Sequence, residues 1–382
     1  MKYVSKKTKI ALLMLPMLGV MSNTAIITSI PQFKDIFLDV ENIDLLAKLM
    51  ITFPSLVIAI SSPFFGHIVH KTSVIKSAAL ALILFAIVGS AGLFLDGIYL
   101  LLGSRLLLGV GIALIMIVST TLVGAYFKHE KRYKFMGLQS VFISIGGILF
   151  ISGGGILSDI DWRYPFGLYI VGLFMLPFVI KNIEEPKNIK ESAHEIDIPG
   201  NLLFVYFLGF ILMVIFYTLP TQIPFLIMNQ LNASGTFTGL IISEAMLFNA
   251  SGGLSFAIFK KYFSYGNINI IGFFILSLGF IAIGNISNLS LFFFAAPIVG
   301  FGGGLLMTAT TSWVLDLARQ SERTQASGYL TSAIFSGQFV SPILFQPIIE
   351  LIGLQHFFLA LGICLAVSAL IAKIIKRSFN IL

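Results

Sequence analysis

Two charged side chains interrupt long apolar runs of the 382-residue sequence: Arg105 and Glu244. A charge at membrane depth is costly and is kept where it faces a cavity or a partner. Arg105 offers a permanent cation that binds a substrate or tunes a nearby proton carrier; alternatively it is a hydrogen-bond donor that locks helices together. Glu244 can take up and release a proton, provided that its apolar run starts early enough to carry it below the wet interface. Neutral polar groups accompany both in the apolar runs: Asn23 and Thr24, then Tyr217, Thr218 and Gln222, then Asn249, Gln338 and Gln346. Such groups orient a ligand, or simply bond helix to helix for about 0.6 kcal/mol each.

Other chemistries lack their residues. No paired Asp, Ser-His pair or His-Glu-x-x-His stands in an apolar run, so the sequence does not read as an enzyme. His67 and His70 have no acid or thiol beside them, which leaves no metal site. A lone Cys364 precludes an intramolecular disulfide and reads as a small buried apolar side chain. Gly153–Gly155 and Gly302–Gly304 follow no strand and precede no Gly-Lys-Ser/Thr, so they read as close helix contacts and not as phosphate loops. No cofactor is implied.

The elements that carry these residues are membrane spans. Residues are 57% hydrophobic and 11% charged, against about one quarter charged in soluble domains. The apolar runs approach about 20 residues, enough for a helix to cross about 30 Å of hydrocarbon. They lack the strict alternation of barrel strands. Twelve spans are expected near residues 9–31, 45–69, 74–95, 98–126, 135–157 and 164–180, then 200–219, 239–259, 268–286, 289–315, 326–351 and 357–375. The first is an uncleaved span. The Lys and Arg that make up the net charge of +7 sit in loops, which argues against nucleic acid. With both termini in the cytoplasm, 20 of the 24 basic residues fall on that side, as the positive-inside rule requires. The expected location is a bacterial cytoplasmic membrane, with lipid, protons and a small molecule as partners and a monomer as the working form.

The chain repeats itself. A shift of 191 residues superposes Gly109 on Gly300, Gly111 on Gly302, Arg132 on Arg323, Gly146 on Gly337 and Phe166 on Phe357, and a shift of 189 superposes Pro31 on Pro220. Six spans separate the copies, so they insert with the same orientation. The domain division is therefore 1–180, a charged cytoplasmic linker 181–199, and 200–382.

Arg105 through Gly109 to Gly111, Trp162-Arg163 before the sixth span, and Ser336-Gly337 through Ser341-Pro342 together resemble the major facilitator superfamily along the whole chain. The nearest likeness is to twelve-span drug and metabolite exporters coupled to protons, to which Tyr217 through Gln222 adds. That resemblance implies an all-α membrane fold, two parallel six-helix bundles around a central cavity, and alternating access driven by a proton gradient. It also implies conformational roles for Gly66, His70, Lys71, Gly109, Gly111 and Pro342. Two departures weaken the implied direction: His70 and Ser73 stand where Asp and Gly are usual, and Phe150-Ile151 replaces a Gly-Pro. Proton-coupled efflux of a small hydrophobic compound is the expected function. Uptake of a small metabolite is the alternative within transport, and a transporter-like membrane sensor the alternative outside it.

Overall fold

A computed structural model describes residues 4–71, 73–127, 129–185, 200–319 and 323–379. Side chains are described throughout these, except at 62–71, 129, 130, 132–134, 137, 140, 324 and 376–379. The described residues are helical with short connections and contain no strand. Contacts divide the chain into units 1–194 and 195–382. The first holds α1 (Lys6–Thr24), α2 (Ile43–Lys71), α3 (Val74–Gly89), α4 (Ile98–Tyr126), α5 (His129–Ile160) and α6 (Val171–Asn182). The second holds α7 (Gly200–Phe216), α8 (Gly235–Tyr262), α9 (Tyr265–Gly284), α10 (Phe292–Leu317), α11 (Arg323–Ile352) and α12 (Leu354–Phe379). The linker read at 181–199 falls outside the described residues from 186 onward.

Eleven stretches among the described residues are long and apolar enough to cross a membrane. The first expected span departs from a simple crossing. α1 carries Lys6, Lys7 and Lys9, stops at Thr24, and gives way to turns before a 3-10 turn at Ile30–Gln32. Ser22 and Thr24 return their hydroxyls to the carbonyls of Gly19 (2.8 Å) and Val20 (3.0 Å), a bonding habit that bends helices. Irregular backbone at membrane depth is tolerated where protein covers it. Ala25, Ile26, Ile27, Thr28, Ser29 and Ile30 accordingly have almost no exposed surface. The second unit repeats the device, since α7 breaks at Tyr217 and continues as Thr218–Pro224 and a π-helix, Phe225–Gln230. Span seven thus reaches eleven residues beyond the expected end at 219. The register-matched Pro31 and Pro220 each lie just past the break.

Serine starts several helices. Ser5, Ser73, Ser234 and Ser264 each accept, through the side-chain hydroxyl, a backbone N–H of the first turn, the preferred N-cap chemistry. The Ser234 cap sets the start of α8 at Gly235, four residues earlier than the expected 239.

Within each unit the same helices pair. α4 packs on α1, α2 and α3 as α10 packs on α7, α8 and α9; α5 packs on α1 as α11 does on α7; and α6 packs on α3 as α12 does on α9. Small residues permit these approaches in lipid, where helix association rests on close packing. A Cβ on Gly300 would stand 2.0 Å from the Ala245 carbonyl oxygen, and one on Gly304 would stand 1.8 Å from that of Asn249. Gly109 and Gly111, expected to act in conformational change, sit against Pro54 and Val57 of α2 and against Ala81, Leu84 and Phe85 of α3. Cys364 corrects an expectation. Its side chain is exposed on α12 and not buried, because that face of the helix has no neighbour in the unit.

Gly304→Leu should therefore force α8 and α10 apart and lower stability by at least the about 1–3 kcal/mol typical of overpacking. Gly103→Ala, where a Cβ meets nothing within 4 Å, should leave the melting temperature unchanged or raise it. Thermal unfolding of the two purified variants separates these outcomes.

Candidate functional site

In the first unit Arg105 lies seven positions into α4 and has no exposed surface. Its Nη2 donates to the carbonyl oxygens of Gly89 (2.7 Å) and Val88 (3.4 Å), and its Nε donates to the Ser104 hydroxyl (3.3 Å). Gly89 is the last residue of α3, so the cation rests on the negative end of a helix dipole, where unpaired carbonyls need donors. Its guanidinium carbon lies 5.0 Å from the ring centroid of Phe166 and 5.2 Å from that of Tyr169. Both faces are attractive to a desolvated cation. Glycine makes room for those rings: a Cβ on Gly92 would stand 2.1 Å from Phe166, and one on Gly89 would stand 2.6 Å from Tyr169. Nη1 has no hydrogen-bond partner.

This enclosure is wired to the break in α1. The Tyr169 hydroxyl donates to the Ser22 carbonyl (2.7 Å), the Ser22 hydroxyl donates to Asn23 Oδ1 (3.0 Å), and Asn23 Nδ2 reaches Ser55 Oγ of α2 (3.5 Å). Thr24 spends its hydroxyl on its own helix. The Trp162-Arg163 pair holds the next turn outward: Arg163 pairs with Asp96 (2.6 Å), donates to the Leu95 carbonyl (2.9 Å), and lies over the Trp162 ring at 4.3 Å. Sequence reasoning missed Tyr169 and Phe166 as parts of the Arg105 site, although the Phe166 match to Phe357 was visible. Lys48 is 2% exposed on α2, on one helical face with Thr52 and Ser55.

In the second unit Glu244 lies nine positions into α8, or about 13 Å along the axis at about 1.5 Å per residue. The early Ser234 cap therefore places it well inside the helix and away from its end. Its Oε2 is buried without a hydrogen-bond partner, and its neighbours Ala245 and Asn249 turn their carbonyls onto the α10 glycines. Gln222 is fully buried and both of its amide heteroatoms lack a partner, while Thr218 and Thr221 bond to carbonyls one turn back (2.7 Å each). Tyr217 is buried at the helix break. Asn249 is half-buried, Gln338 Nε2 approaches the Met213 sulfur at 3.7 Å, and Gln346 donates to Glu350 (2.9 Å). Pro342 lies inside α11. Gly66, His70 and Lys71, expected to act in conformational change, fall within the last turns of α2, and their side chains lie outside the described ones.

Among the described residues no group of three or more His, Cys, Asp or Glu could hold a metal.

Outside the spans, Glu185 fastens the chain that follows α6 to the start of α3. It accepts from Ser73 Oγ (2.7 Å), Val74 N (2.7 Å) and Ile75 N (3.2 Å), while the Tyr126 hydroxyl donates to the Glu184 carbonyl and accepts from the Glu184 N–H (2.9 Å). Burial pushes the Glu185 carboxyl up, but the three hydrogen bonds outweigh it and hold the pKa below the usual value.

Comparison with known proteins follows the same division. The family model described as Major Facilitator Superfamily matches residues 12–199 and 202–378. "Multidrug efflux pump SdrM" of Staphylococcus aureus (strain N315) is 27% identical over 218 residues, covering 56% of this chain and 47% of that protein. "Quinolone resistance protein NorB" of Staphylococcus aureus is 30% identical over 145 residues, covering 37% and 31%. The chain spans about half the length of the first curated relatives it matches. Among solved structures, a bacterial homologue of the human lysosomal transporter Spinster in an inward-facing and occupied conformation has a TM-score of 0.79 at 16% identity, covering 97% of both chains. A D-xylose-proton symporter has 0.77 at 14% identity, covering 96% of both. At such identities the likeness is one of fold.

Two outcomes are expected. Arg105→Lys cannot fork between two carbonyls or stack on two rings, so it should lose about 2 kcal/mol or more of stability in thermal or denaturant unfolding, as breaking a buried charge site does. For Glu185 the folded pKa lies below the unfolded one, so its contribution is full above the unfolded value of about 4.3 and vanishes as pH falls through the folded value. Glu185→Gln should lower the unfolding temperature at pH 7 and lose most of that difference near pH 3.

Proposed function

This chain belongs to the Major Facilitator Superfamily, a family of membrane transporters and not of enzymes, and on that premise we propose that it is a proton-coupled exporter of small hydrophobic or amphipathic compounds. The efflux and resistance names of its relatives support the direction and the breadth of substrate. The observation that carries the coupling is Glu244. A carboxyl group nine positions inside a span, with a buried oxygen that no protein group bonds, suits a proton carrier better than a structural clasp.

In this mechanism Glu244 takes up a proton when the second unit is open to one side of the membrane and returns it on the other, by alternating access. Gln222, which has unmet donors and acceptors, and Asn249 supply neutral hydrogen bonds to a ligand without asking it to carry charge. Tyr217 and Thr218 place Gln222 by breaking α7, and the same break gives the span a joint at which its two halves can turn. Arg105, gripping the end of α3 between two rings, acts in the first unit as a fixed positioning cation linked through Tyr169 to the α1 break. The proton gradient is the energy source, and no cofactor takes part.

Transport of a fluorescent lipophilic cation into inside-out vesicles, driven by an imposed pH gradient, tests the proposal. Glu244→Gln should lose gradient-driven transport by about tenfold or more, in the range found when a proton-transfer group is removed, while dye binding to the purified protein persists. Full gradient dependence in Glu244→Gln would sink the coupling assignment. Accumulation only in right-side-out vesicles would reverse the direction.

A further inference from the structure

The two units share most of their helix pairings, and one difference opens a gap. α1 packs against α6 in the first unit, whereas the corresponding α7 and α12 draw apart in the second. Between them and α9 runs a slot of about 630 Å³. We propose that this slot binds an anionic phospholipid with a phosphoglycerol headgroup, one acyl chain lying between α7 and α12.

Length, charge and one polar atom carry the assignment. Along α7 the slot runs from Phe204 to Ile215, which at about 1.5 Å per residue is about 16 Å. That matches a single leaflet, about half of the roughly 30 Å hydrocarbon layer. Phe204, Phe207 and Ile375 line the slot and keep large exposed surfaces, so its mouth opens sideways from the unit. Ser368, Ala369 and Ala372 on α12 are small residues that leave room for the chain.

The headgroup end is basic. Lys260 Nζ lies 4.3 Å from the centroid of the Tyr265 ring, which stacks on Trp313 of the slot (5.5 Å, 4°) and on Phe256 (6.2 Å). Lys261 and Lys373 are exposed at the same end, Lys373 directly after Ala372 of the slot. The acid nearby, Asp316, accepts the Tyr265 hydroxyl. Ammonium groups at a membrane surface attract anionic headgroups at about 1 kcal/mol each.

Asn269 lines the slot four residues beyond Tyr265, about 6 Å below the start of α9 at about 1.5 Å per residue. It is 6% exposed, its Nδ2 donates to the Tyr265 carbonyl (2.9 Å), and its Oδ1 has no partner. An unpaired acceptor just below a basic rim calls for a ligand with a hydroxyl beside its phosphate. Phosphoglycerol has that hydroxyl, and phosphocholine has neither a donor nor a net negative charge.

The test uses the full chain in phosphatidylcholine bilayers containing a minority of phosphatidylglycerol with a photoreactive group in one tail, and maps the labelled peptides by mass spectrometry. Labels should concentrate on 200–216, 265–284 and 354–379. Ala369→Trp, which fills the slot, should bring them to background at an unchanged melting temperature. Lys260→Gln with Lys373→Gln should reduce labelling about thirtyfold, two surface charges of about 1 kcal/mol each being removed. Should Ala369→Trp fail to fold, Asn269→Leu provides the second measurement, and it should erase the preference for the phosphatidylglycerol probe over a matched phosphatidylcholine probe. Labels spread evenly over other helices, full labelling in folded Ala369→Trp, or an unchanged headgroup preference in Asn269→Leu would overturn the proposal. Equal labelling by both probes, with displacement by the transported dye, would assign the slot to the transported compound and overturn it also.

Discussion

A guanidinium placed where lipid surrounds the protein must find its solvation inside the fold, and much of the first unit is arranged around that need. Arg105 receives the carbonyls at the end of α3, the faces of Phe166 and Tyr169, and the hydroxyl of Ser104. Each partner imposes a further condition. The rings require Gly89 and Gly92 to be without side chains, the Phe166 ring sits near Trp162, and the Tyr169 hydroxyl ties the cluster to the carbonyl at the end of α1. One desolvated charge thus joins four helices and explains why aromatic residues and glycines gather where they do. This is the membrane version of a rule general to proteins, that a buried polar group is held by whatever can bond it.

The second unit solves a different problem with related means. It has no buried guanidinium in the corresponding helix, where Ala296 occupies the matched position. Its closest contact is instead backbone on glycine, with α10 laid against the carbonyls of Ala245 and Asn249. Those residues follow Glu244 within the next two turns, so the contact fixes the helix that carries the acid while leaving the acid's buried oxygen unclasped. Repeated architecture with unrepeated polar groups fits two halves that share a fold and divide the work.

Much of this was legible from the sequence. Apolar runs and the half-chain shift were enough for an all-helical membrane fold in two repeated units, because hydrocarbon leaves the backbone few choices. Glycines that match across the repeat proved to make the same helix pairs. Less legible were the breaks in α1 and α7, since Thr24 reads simply as a polar residue until its hydroxyl, like that of Ser22, is seen bonding backward. Tyr169 and Phe166 were missed because an aromatic residue in a span has no polar signature, and its use as a lid on a cation depends on contacts from distant helices. The start of α8 was set four residues late because a serine cap carries little hydropathy.

Cys364 offers a practical consequence of the bare outer face of α12. As the only thiol in the chain, and an exposed one, it accepts a single maleimide dye or nitroxide without any engineered background. Its neighbour Leu365 lines the gap between α7 and α12. A probe attached there would report on the environment beside that gap from within the bilayer, with no change to the amino-acid sequence.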